Sequence, residues 1–213
     1  MLIKKLFILI IQIIGRTWSY LYPYKLNAFL TIITAHLYSS WVSKGFKLFG
    51  KESLIFPYCD LFGKNYISLG DNCIISSGTS LTAWDKHQSN FYSPKIIIGN
   101  NVSIGAHSHI TAINRIEIGN NVLTGKRITI SDNSHGNSQL DSLMTPPAYR
   151  ALVSKGPVII EDGVWIGEKV TILDNVKIGK NAIIGANAVV TTDLPANCIA
   201  VGVPAKVIKI IRD

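Results

Sequence analysis

Five histidines and a scatter of carboxylates are the groups in this chain able to move protons near neutral pH, and they are unevenly placed. His135 stands in the run SDNSHG, at the head of a long stretch without hydropathic rhythm. An imidazole changes charge close to neutrality, so it suits the removal of a proton from a hydroxyl as that oxygen attacks. Asp132 lies three residues earlier, where a carboxylate can hold the ring's second nitrogen and stabilise the imidazolium. The other reading of Asp132 is a turn in which it bonds its own backbone. His107 and His109, two apart in IGAHSH, would share one face of a strand, a pairing also open to a metal ion. Cys59, Cys73 and Cys198 have no metal-ligand spacing and are odd in number, so no disulfide framework is expected and a reducing cytosol is implied. His36 and His87 are read as structural.

These groups hang on a repeat. Cut every sixth residue, the stretch from Ile160 to Pro195 reads IEDGVW, IGEKVT, ILDNVK, IGKNAI, IGANAV, VTTDLP. An aliphatic residue opens each unit, and Val164, Val170, Val176, Ala182 and Ala188 follow four later. A helix repeats at 3.6 and a strand at two, so a strict six means a short strand and a corner, repeated. Three such units make a triangular coil of about 18 residues in a stacked solenoid. Its strands lie roughly 4.8 Å apart, so the opening aliphatics form dry columns. Gly167, Gly179, Gly185, Asn175, Asn181 and Asn187 suit corners that demand a left-handed backbone. The coil begins raggedly near Glu52 and breaks twice, at Trp84 to Lys95 and from Ser131 to Pro157. Long unpatterned loops inside a compact repeat are usually functional or disordered. Asp85, in the first break, is a rival carboxylate brought in from another coil.

The pieces VWIGEKV, IGANAVVTTDLP and AVGVPAKVI resemble the hexapeptide-repeat acyltransferases over roughly Leu69 to Lys209. Most similar are the sugar O-acetyltransferases of the galactoside and maltose type and the enzymes that decorate bacterial surface polysaccharides. The resemblance implies an all-β fold, a left-handed parallel β-helix, although the hand runs against the usual crossover preference. It implies a homotrimer and direct acetyl transfer from acetyl-CoA to a sugar hydroxyl. Alternative acceptors are the amine of a nucleotide-linked amino sugar, or serine.

His135 matches the family's catalytic histidine, and His109, beside the buried Ile110, falls where relatives meet the acceptor. Arg150, Ser154 and Lys155 resemble an RPLVSKGP pattern, with Ala151 for Pro, and are expected with Asp85 at the acceptor. Trp165, Gly167, Gly185 and Ala186 match a groove for the pantetheine arm, Thr191 and Thr192 the adenosine end, and Lys206 and Lys209 its phosphates. The zinc-binding γ-class carbonic anhydrases share this fold but use a histidine pair four apart plus a third, so no metal is expected. A purely structural or binding solenoid is the reading of another class, since fold does not fix function.

Residues 1–50 form a separate, helical segment ahead of the coil at 51–209 and a tail at 210–213. Leu6 to Ile14 is apolar apart from Gln12 and follows Lys4 and Lys5, as a secretory signal would, but no small-residue cleavage site follows. Leu26, Phe29, Leu30, Ile33, Leu37 and Trp41 fall on one helical face. Of the 21 basic residues, seven lie at or before Lys51 with no acidic residue among them; the rest of the chain nearly cancels. The helices are expected to cap the open end of the coil, to rest on the anionic inner face of a membrane, or both. Basic residues inside an apolar segment argue against nucleic acid.

Overall fold

The computed structural model describes every residue except Met1, Ser138 and Asp213. Three parallel sheets form the walls of a left-handed β-helix, each strand pairing with its counterpart one coil away. The first wall holds Leu48–Phe49, Ile67–Leu69, Lys95–Ile98, Arg115–Ile118, Val158–Ile160 and Val176–Ile178. In the second, Leu54–Ile55, Ile74–Ile75, Ser103–Ile104, Leu123–Thr124, Trp165–Ile166, Ile183–Ile184 and Cys198–Val201 follow one another. The third runs Asp60–Phe62, Ser80–Ala83, His109–Ala112, Thr129–Ser131, Thr171–Ile172 and Val189–Val190.

The six-residue beat becomes columns inside this prism. Ile160 pairs with Ile178, Ile166 with Ile184 and Ile172 with Val190, and all six are buried. Val164, Val170, Val176, Ala182 and Ala188 are buried as well. Each opening aliphatic contributes about 1.5–3 kcal/mol by leaving water. Corners divide the labour between Asn and Gly. Asn175, Asn181 and Asn187 take the left-handed backbone, at φ 57°, 57° and 61°. Gly167 and Gly185 do not; a Cβ on Gly167 would sit 2.6 Å from the Ala186 nitrogen, so close stacking of coils excludes a side chain there.

Corner side chains also tie coil to coil. Asp71 Oδ1 accepts the Lys51 N–H at 2.7 Å, Asn100 Oδ1 that of Asp71 at 2.8 Å, and Asn120 Oδ1 that of Asn100 at 2.8 Å. At another corner Asp174 accepts from the Lys155 N–H at 2.9 Å and Asp193 from that of Lys177 at 2.7 Å.

The ends differ from expectation in three ways. The coil starts at Leu48 rather than near Glu52, because Leu48–Phe49 already pairs with Ser68–Leu69. At the far end Lys206–Ile210 does not continue the coil but folds back antiparallel on Cys198–Val201, closing the second wall's edge. Of the helices, α1 (Leu2–Leu21) is exposed along its described length, and α2 (Tyr24–Ser43) caps the coil through Ala35, Ser39 and Val42. Ser39 Oγ accepts the Ile55 N–H at 2.8 Å and donates to the Ala35 carbonyl at 2.7 Å, anchoring the last turns of α2. Leu26, Phe29, Leu30, Ile33, Leu37 and Trp41 are therefore not the packed face; all six are exposed. Among the described residues no single helix is long and apolar enough to cross a membrane, although α1 and α2, bent by 59°, meet length and composition together.

Candidate active site

Both breaks in the beat leave the coil beside the third wall, and there they meet. The first is a hairpin, Lys86–His87 against Asn90–Phe91, turning through Gln88 at φ 54°. The second opens with Ser134–His135 paired antiparallel to Leu152–Val153, so a short stem of the long loop fixes His135 opposite Leu152. Tyr92 Oη accepts the Leu152 N–H at 2.9 Å, and Gln88 Nε2 donates to the Ala148 carbonyl at 3.3 Å, joining hairpin to loop.

Between them and the wall lies a cavity of about 450 Å³. His135, His109, His87, Trp84 and Leu152 line it together with the outward hydroxyls of Thr82, Thr111 and Ser131. His109 reaches it as expected, since the strand alternates with the buried Ile110. Trp84 stacks on Phe62 at 4.3 Å between centroids, which stiffens the cavity's edge. His87 is more than the structural histidine its sequence suggests, for its ring meets that of His135 edge-on with centroids 5.4 Å apart. Three imidazoles thus converge where the sequence picked out two. The signal for the third was the one that marked His135, a histidine inside an interruption of the repeat.

Asp132 does not hold the His135 ring. It is fully buried, and its oxygens accept the N–H groups of Ile113 and Asn114, each at 2.9 Å. Asn133 Nδ2 adds a third hydrogen bond at 3.1 Å. Nor does it bond its own backbone in a local turn: its backbone partners lie one coil away, as those of Asp174 and Asp193 do. Burial pushes its carboxyl above the usual range, and the backbone donors oppose that rise. Asp85 is likewise engaged elsewhere, accepting from Tyr66 Oη at 2.9 Å, and does not line the cavity.

The loop residues expected at the acceptor are also outside this cavity. Arg150 donates to the carbonyls of Thr145 at 2.8 Å and Leu143 at 3.4 Å, tying the loop to itself. Ser154 receives Asn114 Nδ2 at 3.3 Å, and Lys155 sits 3.7 Å from Asp174 at a corner. His107 occupies a corner at φ 58°, so it does not share the face of His109. Among the described residues no cluster of three or more ligating side chains could hold a metal.

On the second wall a separate groove of about 450 Å³ collects Trp165, Gly167, Gly185 and Ala186 with Leu123, Ile183 and Glu168. Trp165 is 53 % exposed, as its place beside Ile166 predicts. Lys206 and Lys209 face outward at the end of the same wall, opposite Val201 and Ile199. Thr191 and Thr192 line a different hollow of about 530 Å³ with Pro157, Lys177 and Asp193. The groove has the form needed for an extended apolar chain with amide groups: a low floor of glycine and alanine beside an indole. The cavity has the form needed for a hydroxylated molecule beside a base.

Comparison with known proteins bears on both. Residues 157–192 match the family model described as bacterial transferase hexapeptide (six repeats), and 67–83 that of the hexapeptide repeat of succinyl-transferase. The Escherichia coli (strain K12) protein named "Putative lipopolysaccharide biosynthesis O-acetyl transferase WbbJ" is 34% identical over 72% of this chain and 76% of its own. A galactoside O-acetyltransferase of Lactococcus lactis subsp. lactis (strain IL1403) is 30% identical over 72% of this chain and 68% of its own. Among solved structures, AntD, an N-acyltransferase from Bacillus cereus in complex with dTDP and 3-hydroxybutyryl-CoA, superposes with a TM-score of 0.67. It is 26% identical over 82% of this chain and 88% of that one.

Proposed function

Because the chain belongs to the hexapeptide-repeat acyltransferases and is an acetyltransferase, we propose that it moves the acetyl group of acetyl-CoA to a sugar hydroxyl in bacterial surface polysaccharide synthesis. The observation that carries this reading is the cavity where His135, held by the loop stem, looks onto His109 and a wall of hydroxyls. His135 accepts the acceptor's proton as its oxygen attacks the thioester and returns it to the departing thiol. This needs no covalent enzyme intermediate. A positioned base supplies typically 10²–10⁴ in rate.

Coenzyme A would lie along the second wall. Trp165, Gly167, Gly185 and Ala186 would hold the pantetheine arm, and Lys206 and Lys209 would meet phosphate. Thr191 and Thr192 remain candidates for the adenosine end from their separate hollow. The groove and the His135 cavity lie on different walls and share no lining residue. A homotrimer in which one subunit's groove faces the next subunit's cavity would bring them together, and light scattering tests it. Arg150, Ser154 and Lys155 lie outside the cavity of their own chain and would reach an acceptor only from its outer side.

A second reading, acetylation of a nucleotide-linked amino sugar, is favoured by the likeness to AntD, whose complexes include dTDP-4-amino-4,6-dideoxyglucose. Thiol release from acetyl-CoA, followed with methyl glycosides, nucleotide-linked amino sugars and serine, separates the two. Turnover restricted to amines would replace the hydroxyl acceptor; turnover with none of them would end the carbohydrate reading.

The N-terminal helices support a cytoplasmic enzyme resting on the membrane's inner face. Exposed apolar side chains surround α1, Trp18, Tyr20, Tyr22 and Tyr24 follow, and no acidic residue precedes Glu52. Each basic residue near an anionic surface contributes about 1 kcal/mol. A chain lacking residues 1–24 should lose co-sedimentation with anionic vesicles; equal binding by the shortened chain would remove the membrane role.

A further inference from the structure

We infer that Thr82 and His87 form a hydroxyl-recognising pair that reads the acceptor beside the position it is acetylated, a proposal resting on the acetyltransferase reading above. Among the described residues, two buried side-chain polar atoms lack a hydrogen-bond partner, Thr82 Oγ1 and His87 Nε2. Both residues line the His135 cavity. The coincidence is informative because the fold satisfies its buried hydroxyls elsewhere. Ser39 bonds Ala35 and Ile55, Ser53 donates to the Gly70 carbonyl at 2.6 Å, and Ser108 to that of Gly105 at 2.6 Å. Unpaired buried polar atoms cost stability and are rare in folded proteins, so two of them on residues that line one cavity point to a ligand that completes them as the side chains turn toward it.

The chemistry identifies the ligand class. Thr82 is 3 % exposed, on the outward face of the third wall beneath the hairpin that carries His87. A threonine hydroxyl both donates and accepts, and a neutral imidazole nitrogen does one or the other according to tautomer. Together they complement one alcohol, which donates to one partner while accepting from the other. A carboxylate offers acceptors only and would leave one of the two atoms unmatched whenever the imidazole nitrogen is itself an acceptor. The edge contact of His87 with His135 puts the recognised hydroxyl next to the reacting one. An acceptor with hydroxyls on adjacent carbons, one at His135 and its neighbour at Thr82 and His87, meets both.

The test uses the full chain and its Thr82→Val, Thr82→Ser and His87→Phe variants. Each is melted without acceptor, then assayed with acetyl-CoA against methyl glycosides and their monodeoxy analogues. Thr82→Val keeps the shape and removes the unpaired hydroxyl, so its Tm should rise by about 2–4 °C. Its acceptor KM should rise at least tenfold, with kcat and the acetyl-CoA KM within about threefold, and Thr82→Ser should restore the acceptor KM. His87→Phe should raise the acceptor KM similarly. The deciding result is coupling: removing the hydroxyl next to the acetylated position should weaken the wild-type reaction about tenfold and leave the Thr82→Val reaction unchanged. A Tm for Thr82→Val equal to or below wild type, or a deoxy penalty the same in both proteins, overturns the pair. If the wild-type chain acetylates no glycoside, the carbohydrate reading fails separately. A raised Thr82→Val melt would then keep the recognition of a hydroxylated acceptor, and an unraised melt would end it.

Discussion

From Val158 to Ala200 the coil runs unbroken, whereas between Ala83 and Val158 the chain twice leaves it, and the two regions divide the work. In the unbroken part inward positions are filled by stacking aliphatics, and the outer face of the second wall is a shallow groove. In the interrupted part, hairpin and loop rise over one wall and bring histidines from three strands into a single cavity. A regular repeat builds long flat surfaces suited to an extended molecule. Only a departure from it gathers imidazoles from separate strands around one hollow, with His135 exposed at its rim.

The largest expected effect falls in the interrupted region. His135→Ala should lower kcat by at least about 10², with acetyl-CoA binding by calorimetry unchanged because the groove lies on another wall. A loss under about tenfold would take the proton chemistry out of the loop. The opposite pattern belongs to the unbroken coil. Ile166→Ala empties a buried site between Thr124 and Ile184 and should cost about 2–5 kcal/mol in denaturant unfolding. If it spared stability, or if His135→Ala cost as much, the division would be wrong.

Asp132 sharpens the comparison, because it stands at the boundary and belongs structurally to the coil. Asp132→Asn leaves one of the two backbone donors facing an amide nitrogen, so unfolding should be easier by about 1–3 kcal/mol at pH 7. Its kcat should stay within about tenfold of wild type, where loss of a catalytic triad's carboxylate would do far more. The pH dependence has a defined sign. Burial raises this carboxyl above 3.8, so the folded state holds the proton more tightly than the unfolded chain does. Its share of stability is therefore greatest below 3.8 and falls as pH rises through the folded-state value, a slope that Asp132→Asn should abolish. A flat wild-type curve across that window would remove the burial argument.

The same residue marks where legibility in the sequence ends. The columns of Ile160, Ile166 and Ile172 were readable because one physical demand, a dry core, recurs every six residues. The outward aim of Trp165 and His109 followed from alternation beside a buried neighbour. Nearness in sequence suggests Asp132 as a partner for His135 or for its own backbone, and it is neither. The repeat itself held the better answer, since Ile130-Ser131-Asp132 recurs as Ile172-Leu173-Asp174, and both aspartates serve corner N–H groups one coil away. His87 and Trp84 had no periodic signal because two unpatterned segments meet there, and that meeting depends on Tyr92 and Gln88 bonding residues sixty positions ahead. The capping face of α2 escaped for a related reason. The end of the coil admits Ala35 and Ser39, while the larger apolar side chains that dominate a helical pattern turn away.

The smallest effect lies at the far edge of the unbroken region. Lys206 and Lys209 project from the returning strand, exposed, so any phosphate they meet is met through water and salt. Exposed charge pairs contribute little and are screened, so Lys206→Ala and Lys209→Ala should each raise the acetyl-CoA KM only about two- to fivefold. Added salt should shrink that difference, and kcat and the acceptor KM should not move. Such a result would fix the donor's direction along the second wall, with phosphates at the strand that closes it and the acyl end toward Trp165. Should both variants instead raise the acceptor KM, the donor and acceptor would have been assigned to the wrong walls, and the unbroken coil would be the part that selects the sugar.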